Sequence, residues 1–257
     1  MDKSSFLGVF LAIGGIVAGL LMEGGSLGQI LQPTAALIVF GGTLGAVLLQ
    51  FPLPTVLAAC RSLVHVFAAP RKQSDDLISQ LVAYANKARR QGVVSLDSDL
   101  KTIQDPFLKQ SVMLAVDGTE PSELRKIMRV SLDSTADSEE RLPAVFESAG
   151  GFSPTIGILG AVLGLIQVMQ HLDNTQEVGR GIAVAFVATI YGVAAANLCF
   201  LPFAGKIRIR LHADQQRREM MLEGVVSILE GMNPRMLELK LSGFLDEPST
   251  DRKQRAA

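Results

Sequence analysis

Four long apolar stretches alternate with polar segments along this chain of 257 residues. The stretches are 6–22, 34–51, 152–170 and 182–203, and none of them contains an Asp, Glu, Lys, Arg or His. A helix rises about 1.5 Å per residue, so helices of these lengths come close to or exceed a bilayer core of roughly 30 Å. The pattern therefore predicts four transmembrane helices.

Charged residues are concentrated in two polar segments, 61–147 and 206–255. The connection 23–33 contains no basic residue and the connection 171–181 contains only Arg180, whereas Lys and Arg flank the other ends of the stretches. Because basic residues favour the cytoplasmic side, both termini and the long middle segment are predicted to be cytoplasmic. The two outer connections are short, so the chain is predicted to place no folded domain outside the membrane.

Apolar residues at spacings of three and four predict helices in the polar segments, and no strand pattern is present. The periodicity is clearest at 75–91, where Ser74 is a predicted N-cap and Gly92 a predicted helix end. The other predicted helices are 106–116, 121–132 and a long helix that continues the fourth stretch to about residue 230. The predicted fold class is all-α, an integral membrane protein with four transmembrane helices and a helical cytoplasmic domain.

These elements divide the chain into four parts. They are a transmembrane hairpin at 1–51, a cytoplasmic helical domain at 52–150, a second transmembrane hairpin at 151–203, and a cytoplasmic C-terminal helix and tail at 204–257.

Enzyme and metal motifs are few in this sequence. There is no G-x-x-x-x-G-K-[ST] phosphate loop, no H-E-x-x-H motif and no C-x-x-C pair. The three histidines lie in different segments, and Cys60 and Cys199 are not placed like a disulfide scaffold. A net charge of −1 gives no indication of nucleic-acid binding. The sequence therefore predicts a protein that is not an enzyme and that requires no metal or other cofactor.

Small residues at four-residue spacing mark the predicted spans. The positions are Gly15 and Gly19, Gly41 and Gly45, Gly160 and Gly164, and Ala188, Gly192 and Ala196. Such pairs let helix backbones approach closely. Two interpretations follow: the small faces pack within the chain's own bundle, or some of them enclose a helix from another chain.

Polar and proline residues interrupt the second pair of apolar stretches. They are Pro154, Thr155, Thr189, Tyr191, Asn197 and Pro202. A buried hydroxyl or amide at membrane depth is costly without a partner, although a Thr can bond the carbonyl four residues before it. Pro154 fits either a functional position or the first turn of a helix. Pro202 is expected to loosen a helix that otherwise continues into the cytoplasm.

Several short motifs carry a resemblance to a known family. They are A-R-R-Q-G at 88–92, S-L-D at 95–97, G-F-S-P-T-I-G at 151–157, A-T-I-Y-G at 188–192 and E-G-M-N-P-R at 230–235. Together with the order of spans and polar segments, they make the chain resemble the MotA/PomA family of flagellar motor stator subunits. Its short length resembles the PomA or MotC branch.

The resemblance implies a stator subunit in the bacterial inner membrane. It implies that five such subunits surround two copies of a single-span partner of the MotB/PomB type, whose aspartate carries the ion and whose outer domain holds peptidoglycan. Ion flow through this complex would then generate torque on the rotor protein FliG. By position, the rotor-facing charges would be Arg89, Arg90 and Asp97, with Asp99 as a nearby acid. Ser98 and Leu100 stand where some relatives carry further acids.

The resemblance also implies roles within the spans. Pro154 and Pro202 match the prolines that couple ion binding to conformational change, and Thr189 matches a threonine of the ion pathway, for which Thr155 and Tyr191 are further candidates. Sodium-driven members resemble one another in a second threonine seven residues after the first proline, where this chain has Ala161. A methyl group offers no oxygen to a hard cation. The proton is therefore the expected coupling ion rather than sodium.

Two other function classes remain open from the sequence. Proton-driven energy transducers of the ExbB/TolQ type have a similar pair of core helices, but they have three spans rather than the four predicted here. A membrane scaffold without ion flow is the second alternative. It would be favoured if replacing Thr189 or Pro154 left function unchanged.

Overall fold

The computed structural model describes residues 3–67 and 74–244, and every regular element in these ranges is a helix. The predicted tail beyond Phe244 lies outside the described residues, as do positions 68–73 and the side chain of Ser74, the predicted N-cap. The all-α fold class is confirmed for the described part of the chain.

Residues 3–67 form five α-helices, two of which belong to one continuous helical segment. The helices are α1 Lys3–Met22, α2 Leu27–Ile30, α3 Pro33–Ala36, α4 Gly42–Gln50 and α5 Leu53–Phe67. A π turn, Leu37–Gly41, joins α3 to α4, so the segment runs unbroken from Pro33 to Gln50. Pro33 lies in the first turn, where its missing N–H removes no helical hydrogen bond.

Residues 74–244 form six further α-helices. They are α6 Ser74–Gln91, α7 Pro106–Val116, α8 Pro121–Gln170, α9 Thr175–Ala194, α10 Leu201–Leu229 and α11 Pro234–Leu241, with 3-10 helices at Val93–Asp99 and Ser242–Phe244 and a π turn at Ala195–Phe200. The predicted bounds of α7, 106–116, are confirmed at both ends. Asp105 caps its first turn by accepting hydrogen bonds from the N–H groups of Phe107 and Leu108. The long helix predicted after the fourth stretch is also confirmed.

The helix predicted at 121–132 is longer in the structure, and its predicted end is wrong. α8 continues to Gln170 through a stretch rich in Ser, Thr and Asp, which are residue types that favour caps and turns. In this stretch Thr135 Oγ1 donates to Ser131 O at 2.8 Å, and Ser138 Oγ donates to Thr135 O at 2.9 Å. Because these hydroxyl groups bond carbonyls of their own helix, they do not end it.

Within the described residues, three helical segments are long and apolar enough to cross a membrane: Pro33–Gln50, Pro121–Gln170 and Thr175–Leu229. They contain the third and fourth apolar stretches of the sequence and all of the second except Phe51. The first stretch forms a shorter apolar helix, Leu7–Met22, within α1. Three spans are therefore supported by length and composition, and the fourth stays a prediction.

The chain divides into two compact units, and the two long helices α8 and α10 contribute to both. The first, named the span unit, comprises Met1–Pro70 and Glu139–Arg210, and the second, named the helical unit, comprises Arg71–Ser138 and Leu211–Ala257. The four-part organisation predicted from the sequence depends on where the bilayer begins and ends. Its borders therefore stay predictions.

The helical unit is held together by a core of buried aliphatic and methionine side chains. Fully buried members include Leu81 of α6, Leu108 of α7, Leu124 and Met128 of α8, Met221 of α10 and Leu237 of α11. α6 and α10 approach closely at Gly224, where an added Cβ would lie 2.7 Å from Leu81 Cδ1. Removal of this apolar surface from water is the main favourable contribution to folding of the unit.

An ion-pair cluster links three helices of the helical unit. The Glu223 carboxylate on α10 accepts hydrogen bonds from Arg125 of α8 and from Lys240 of α11, the latter at 2.9 Å. Burial by itself would raise the pKa of Glu223, but the hydrogen bonds from Lys240 and Arg125 outweigh it and lower the pKa from its ordinary value of 4.5. Lys240 also bonds the buried Ser227 hydroxyl at 3.0 Å.

Candidate functional site

α8 and α9 pack against each other through small residues, which we call the glycine seam. Its members are Gly157, Gly160 and Gly164 of α8 and Gly181, Ala185, Ala188 and Gly192 of α9. A Cβ added at Gly157 would lie 2.9 Å from Ala188 O, and one added at Gly164 would lie 2.9 Å from Gly181 O. Backbone therefore lies against backbone along the seam, as small residues at this spacing permit.

A hydrogen bond between helices strengthens one end of the seam. The fully buried Ser153 hydroxyl donates to Gly192 O at 3.0 Å. A Cβ at Gly192 would collide with Ser153 O and would lie 3.2 Å from Pro154 Cα. Pro154 therefore lies at a close crossing of the two helices. Ser153 was not singled out from the sequence, although a hydroxyl directly before the proline of a motif was a usable signal.

The small residues were predicted to pack either inside the chain or against a helix of another chain, and the structure separates them by position. Gly160, Gly164, Ala188 and Gly192 pack inside the chain, in agreement with the interpretation of internal packing. The four glycines at 15, 19, 41 and 45 have open space beside them, since no atom in the described part of the chain lies within 4 Å of an added Cβ. For these four, an external helix stays a prediction.

Pro154 lies deep inside α8, so its interpretation as a first-turn residue is wrong. Proline has no N–H and cannot bond the carbonyl of Gly150 four residues before it. Gly150 is covered by the side chain of Leu201, since an added Cβ would lie 2.6 Å from Leu201 Cδ2. The contact between Gly150 of α8 and Leu201 of α10 therefore lies near both prolines. Gly150 is four residues before Pro154, and Leu201 directly precedes Pro202.

The helix forms a π turn directly before Pro202, where the sequence analysis expected the proline to loosen it. The π turn Ala195–Phe200 joins α9 to α10, and the helical path continues through the proline to Leu229. Proline cannot donate to the carbonyl of Leu198, and a π turn is one of the usual ways in which a helix accommodates such a loss. The helix is locally rearranged at Pro202 without being broken.

The predicted threonine positions differ in their surroundings. Thr189 Oγ1 donates to Ala185 O at 3.3 Å and is half-buried beside the seam, where a Cβ at Gly157 would lie 3.4 Å from Thr189 Cα. Thr155 is exposed and bonds Phe152 O at 2.7 Å. Each hydroxyl is satisfied by its own helix and keeps spare acceptor capacity.

The structure therefore brings Pro154 and Thr189 to the same part of the glycine seam. Ala161 is half-buried farther along α8, whereas Thr155 and Pro202 are exposed. Asn197 bonds Val193 O of its own helix at 3.0 Å.

Tyr191 has different partners from the other predicted pathway residues. Its hydroxyl donates to the carbonyl of Ile30 and accepts from the N–H of Gln32, two backbone groups between α2 and α3. Its ring lies 6.0 Å from the Phe40 ring, measured between centroids. Tyr191 thus contacts the backbone directly before α3, where the helical segment Pro33–Gln50 begins. The sequence did not indicate this contact.

The predicted rotor-facing charges lie where α6 ends. Arg89 and Arg90 are exposed in the last turn of α6, and Asp97 is exposed in the 3-10 helix Val93–Asp99. Gly92 separates the two helices with φ +81°, a conformation that side-chain-bearing residues rarely adopt. None of the three charges has an ion-pair partner among the described residues, so all three remain available to another molecule.

Asp99, the fourth predicted charge, is engaged within the chain. Its carboxylate is 2.6 Å from Lys87 Nζ, and both side chains are partly buried. Lys87 also donates to Ser98 Oγ at 2.8 Å. This cluster braces the 3-10 helix against α6. Lys87 was missed as its partner because twelve positions separate the two residues in the sequence.

Family models match both halves of the chain. The MotA/TolQ/ExbB proton channel family matches residues 99–220, and the motility protein A N-terminal model matches residues 6–92. Motility protein A of Bacillus subtilis is 37% identical over 254 residues, which cover 98% of this chain and 93% of that protein.

Two solved structures have the same fold along nearly the whole chain. A chain of C. jejuni MotAB matches with a TM-score of 0.90 and 32% identity, covering 96% of this chain and 98% of that one. A chain of the Bacillus subtilis flagellar MotAB stator complex matches with a TM-score of 0.89 and 35% identity, covering all of both chains. By sequence and by fold, the chain belongs to the MotA/PomA family of flagellar motor stator subunits, within the MotA/TolQ/ExbB proton channel family.

Proposed function

We propose that this chain, with a MotB-type single-span partner, forms a proton path whose ion flow generates torque on the rotor protein FliG. The observation that carries the proposal is the full-length likeness to MotAB stator chains, combined with four apolar stretches that contain no titratable side chain. The family consists of membrane-embedded stator and channel components rather than enzymes.

The four apolar stretches lack a carboxylate, which supports a partner that supplies one. A proton relay requires a group that binds and releases a proton, and no Asp, Glu or His lies in the four apolar stretches. In the proposed complex, a MotB/PomB-type aspartate takes this role beside Thr189 and Pro154. Several copies of this chain, five by family resemblance, surround the partner. The open faces at Gly15, Gly19 and Gly41 are suited to contacts with further helices.

The proposed setting is the bacterial inner membrane, with four spans and both termini in the cytoplasm. Three helical segments in the described part of the chain have the required length and apolar character, and the shorter Leu7–Met22 helix would be the first span. The basic residues beside the spans support this orientation, since the connection 23–33 contains none. The lipid bilayer is then a direct partner of the exposed apolar side chains, and no nucleic acid is involved.

The proton is the proposed coupling ion because the site offers few oxygen ligands to a metal cation. Ala161 has only a methyl group and supplies no oxygen ligand at its position. Hard cations such as sodium require several oxygen ligands, whereas a proton requires a carboxylate and a water path. No resident cofactor is proposed.

Deletion of the gene tests the function directly. We expect cells that assemble flagella but do not swim, and a plasmid copy should restore swimming. In the restored strain, swimming should persist without sodium and stop on addition of a protonophore. Normal swimming of the deletion strain, in a host without a second stator, would contradict the stator function; the reverse ion dependence would contradict proton coupling alone.

An energy transducer of the ExbB/TolQ type is the second candidate, because the matching family model includes those proteins. The model that matches residues 6–92 is specific to motility protein A and favours the stator function. Loss of an envelope or uptake function with intact swimming in the deletion strain would support the transducer instead. A scaffold without ion flow would leave swimming insensitive to replacement of Thr189 or Pro154.

A further inference from the structure

A break in the helical backbone separates α2 from α3, at the start of the second apolar segment. Leu31 leaves the helical conformation, with φ −89° and ψ 88°, and Gln32 precedes α3 without a capping bond from its side chain. Helix ends of this kind leave N–H and C=O groups without intrahelical partners. Ile30 and Gln32 are partly buried, and backbone groups withdrawn from water are costly unless another group bonds them.

The hydroxyl group of Tyr191 bonds both sides of this break. It donates to the Ile30 carbonyl at 2.5 Å and accepts from the Gln32 N–H at 3.3 Å. The phenol has one proton to donate, and that proton is committed to Ile30. A residue of α9 therefore satisfies backbone groups that lie about 160 positions earlier in the chain.

The Tyr191 ring packs in an apolar cluster beside the same segment. The buried members of the cluster are Ala35, Val39, Val187 and Ala188. Ile30 and Tyr191 pack against them, and the Phe40 ring lies close to the Tyr191 ring. A phenylalanine would fill the same space, so packing alone does not require the hydroxyl group. Its separate contribution is the pair of backbone hydrogen bonds.

We propose that Tyr191 is a positioning residue that latches residues 30–32 to α9. The latch fixes the start of α3 beside the part of α9 that carries Thr189 and Gly192. Ion flow would then depend on the Tyr191 hydroxyl through the placement of the second apolar segment, without contact between the hydroxyl and the ion. This effect on ion flow rests on the function proposed above, whereas the latch itself does not.

Hydrogen exchange of the full-length chain in lipid nanodiscs tests the latch. We expect Tyr191→Phe to speed amide exchange in the peptide covering residues 26–34 by a few-fold up to roughly tenfold, the range expected for loss of a hydrogen bond. Peptides from α8 and from the helical unit should exchange as in the parent chain. Unchanged exchange at 26–34 would overturn the latch, and so would an equal increase in all peptides.

Asn197→Leu is the matched control for this experiment. Asn197 is a polar residue of the same helical path, but among the described residues its side chain bonds only Val193 O of its own helix. Its replacement should leave exchange at 26–34 unchanged. If both variants speed exchange there equally, the effect is not specific to the Tyr191 hydroxyl and the latch is contradicted.

Ion flow through the complex with the MotB-type partner tests the second part of the proposal. Tyr191→Phe should assemble normally and lower proton flow and swimming speed several-fold. Faster exchange at 26–34 with unchanged proton flow would overturn the link between the latch and ion transport. If the parent complex carries no ions at all, the proposed function fails, but the exchange result still decides whether the latch exists.

Discussion

Single atoms limit how closely α8 and α9 can approach. A Cβ at Gly157 would meet the backbone oxygen of Ala188, and a Cβ at Gly164 would meet the backbone oxygen of Gly181. A backbone oxygen cannot rotate away as the end of a long side chain can, so a larger residue must push the helices apart. Gly205 of α10 differs, because no described atom lies within 4 Å of an added Cβ there.

We expect Gly157→Val to lower the free energy of unfolding by about 1–3 kcal/mol, the usual cost of overpacking. Gly205→Ala is the matched control. It should be neutral or slightly stabilising, since alanine favours helix and has open space at this position. Thermal unfolding midpoints in one detergent compare the two variants. Equal midpoints would contradict close backbone packing at the seam.

At the scale of helices, one carboxylate links three elements of the helical unit. Glu223 of α10 bonds Arg125 of α8 and Lys240 of α11. Its pKa is lower in the folded chain than the ordinary value of 4.5. A lowered folded pKa means that the unfolded chain binds the proton more readily. The stabilisation is therefore present above the ordinary pKa and is lost as the pH falls through the folded pKa.

We expect Glu223→Gln to lower the thermal midpoint by a few degrees at pH 7 and to flatten its fall as the pH drops below 4.5. Glu123→Gln is the matched control, because Glu123 and Lys126 form an exposed pair at 3.3 Å, which contributes little. Circular dichroism melts across this pH range measure both variants. Identical pH profiles for the parent and Glu223→Gln would contradict the role of this ion pair.

Helix ends with local signals could be predicted from the sequence, whereas contacts between distant helices could not. Asp105 followed by Pro106 is a cap and a first-turn proline, so the start of α7 was recognisable. The path of α8 was missed because its Ser and Thr side chains resemble helix-ending residues but bond carbonyls of their own helix. Tyr191 pairs with a segment that no periodic pattern connects to it.

The candidate site, like the fold, was predictable where short motifs mark its residues and not where distant residues meet. Motif resemblance selected Pro154 and Thr189, which the structure brings together at the seam. Ser153 and Lys87 were missed because their importance comes from one tertiary contact each. Asp99 was grouped with the rotor-facing charges by its position, but its pairing with Lys87 depends on how the 3-10 helix folds back, which spacing alone does not reveal.

At the scale of the whole molecule, charged side chains are distributed unevenly between the two units. The apolar stretches of the span unit contain no charge, whereas the helical unit presents exposed charges at the end of α6. Arg89 and Arg90 are not neutralised by any described ion pair, so their charge is available for the proposed rotor contact. A contact made by exposed charges acts through electrostatic complementarity and is sensitive to charge reversal.

We expect the double reversal Arg89→Glu and Arg90→Glu to abolish or strongly reduce torque while the stator complex still assembles. Arg129→Glu is the matched control, since Arg129 is an exposed arginine of the same unit. It should leave torque near the parent level. Rotation of tethered cells measures torque, and membrane abundance of the chain checks assembly. Full torque after the double reversal would remove Arg89 and Arg90 from the rotor contact. Equal losses in the double reversal and in Arg129→Glu would show that the loss is not specific to the end of α6.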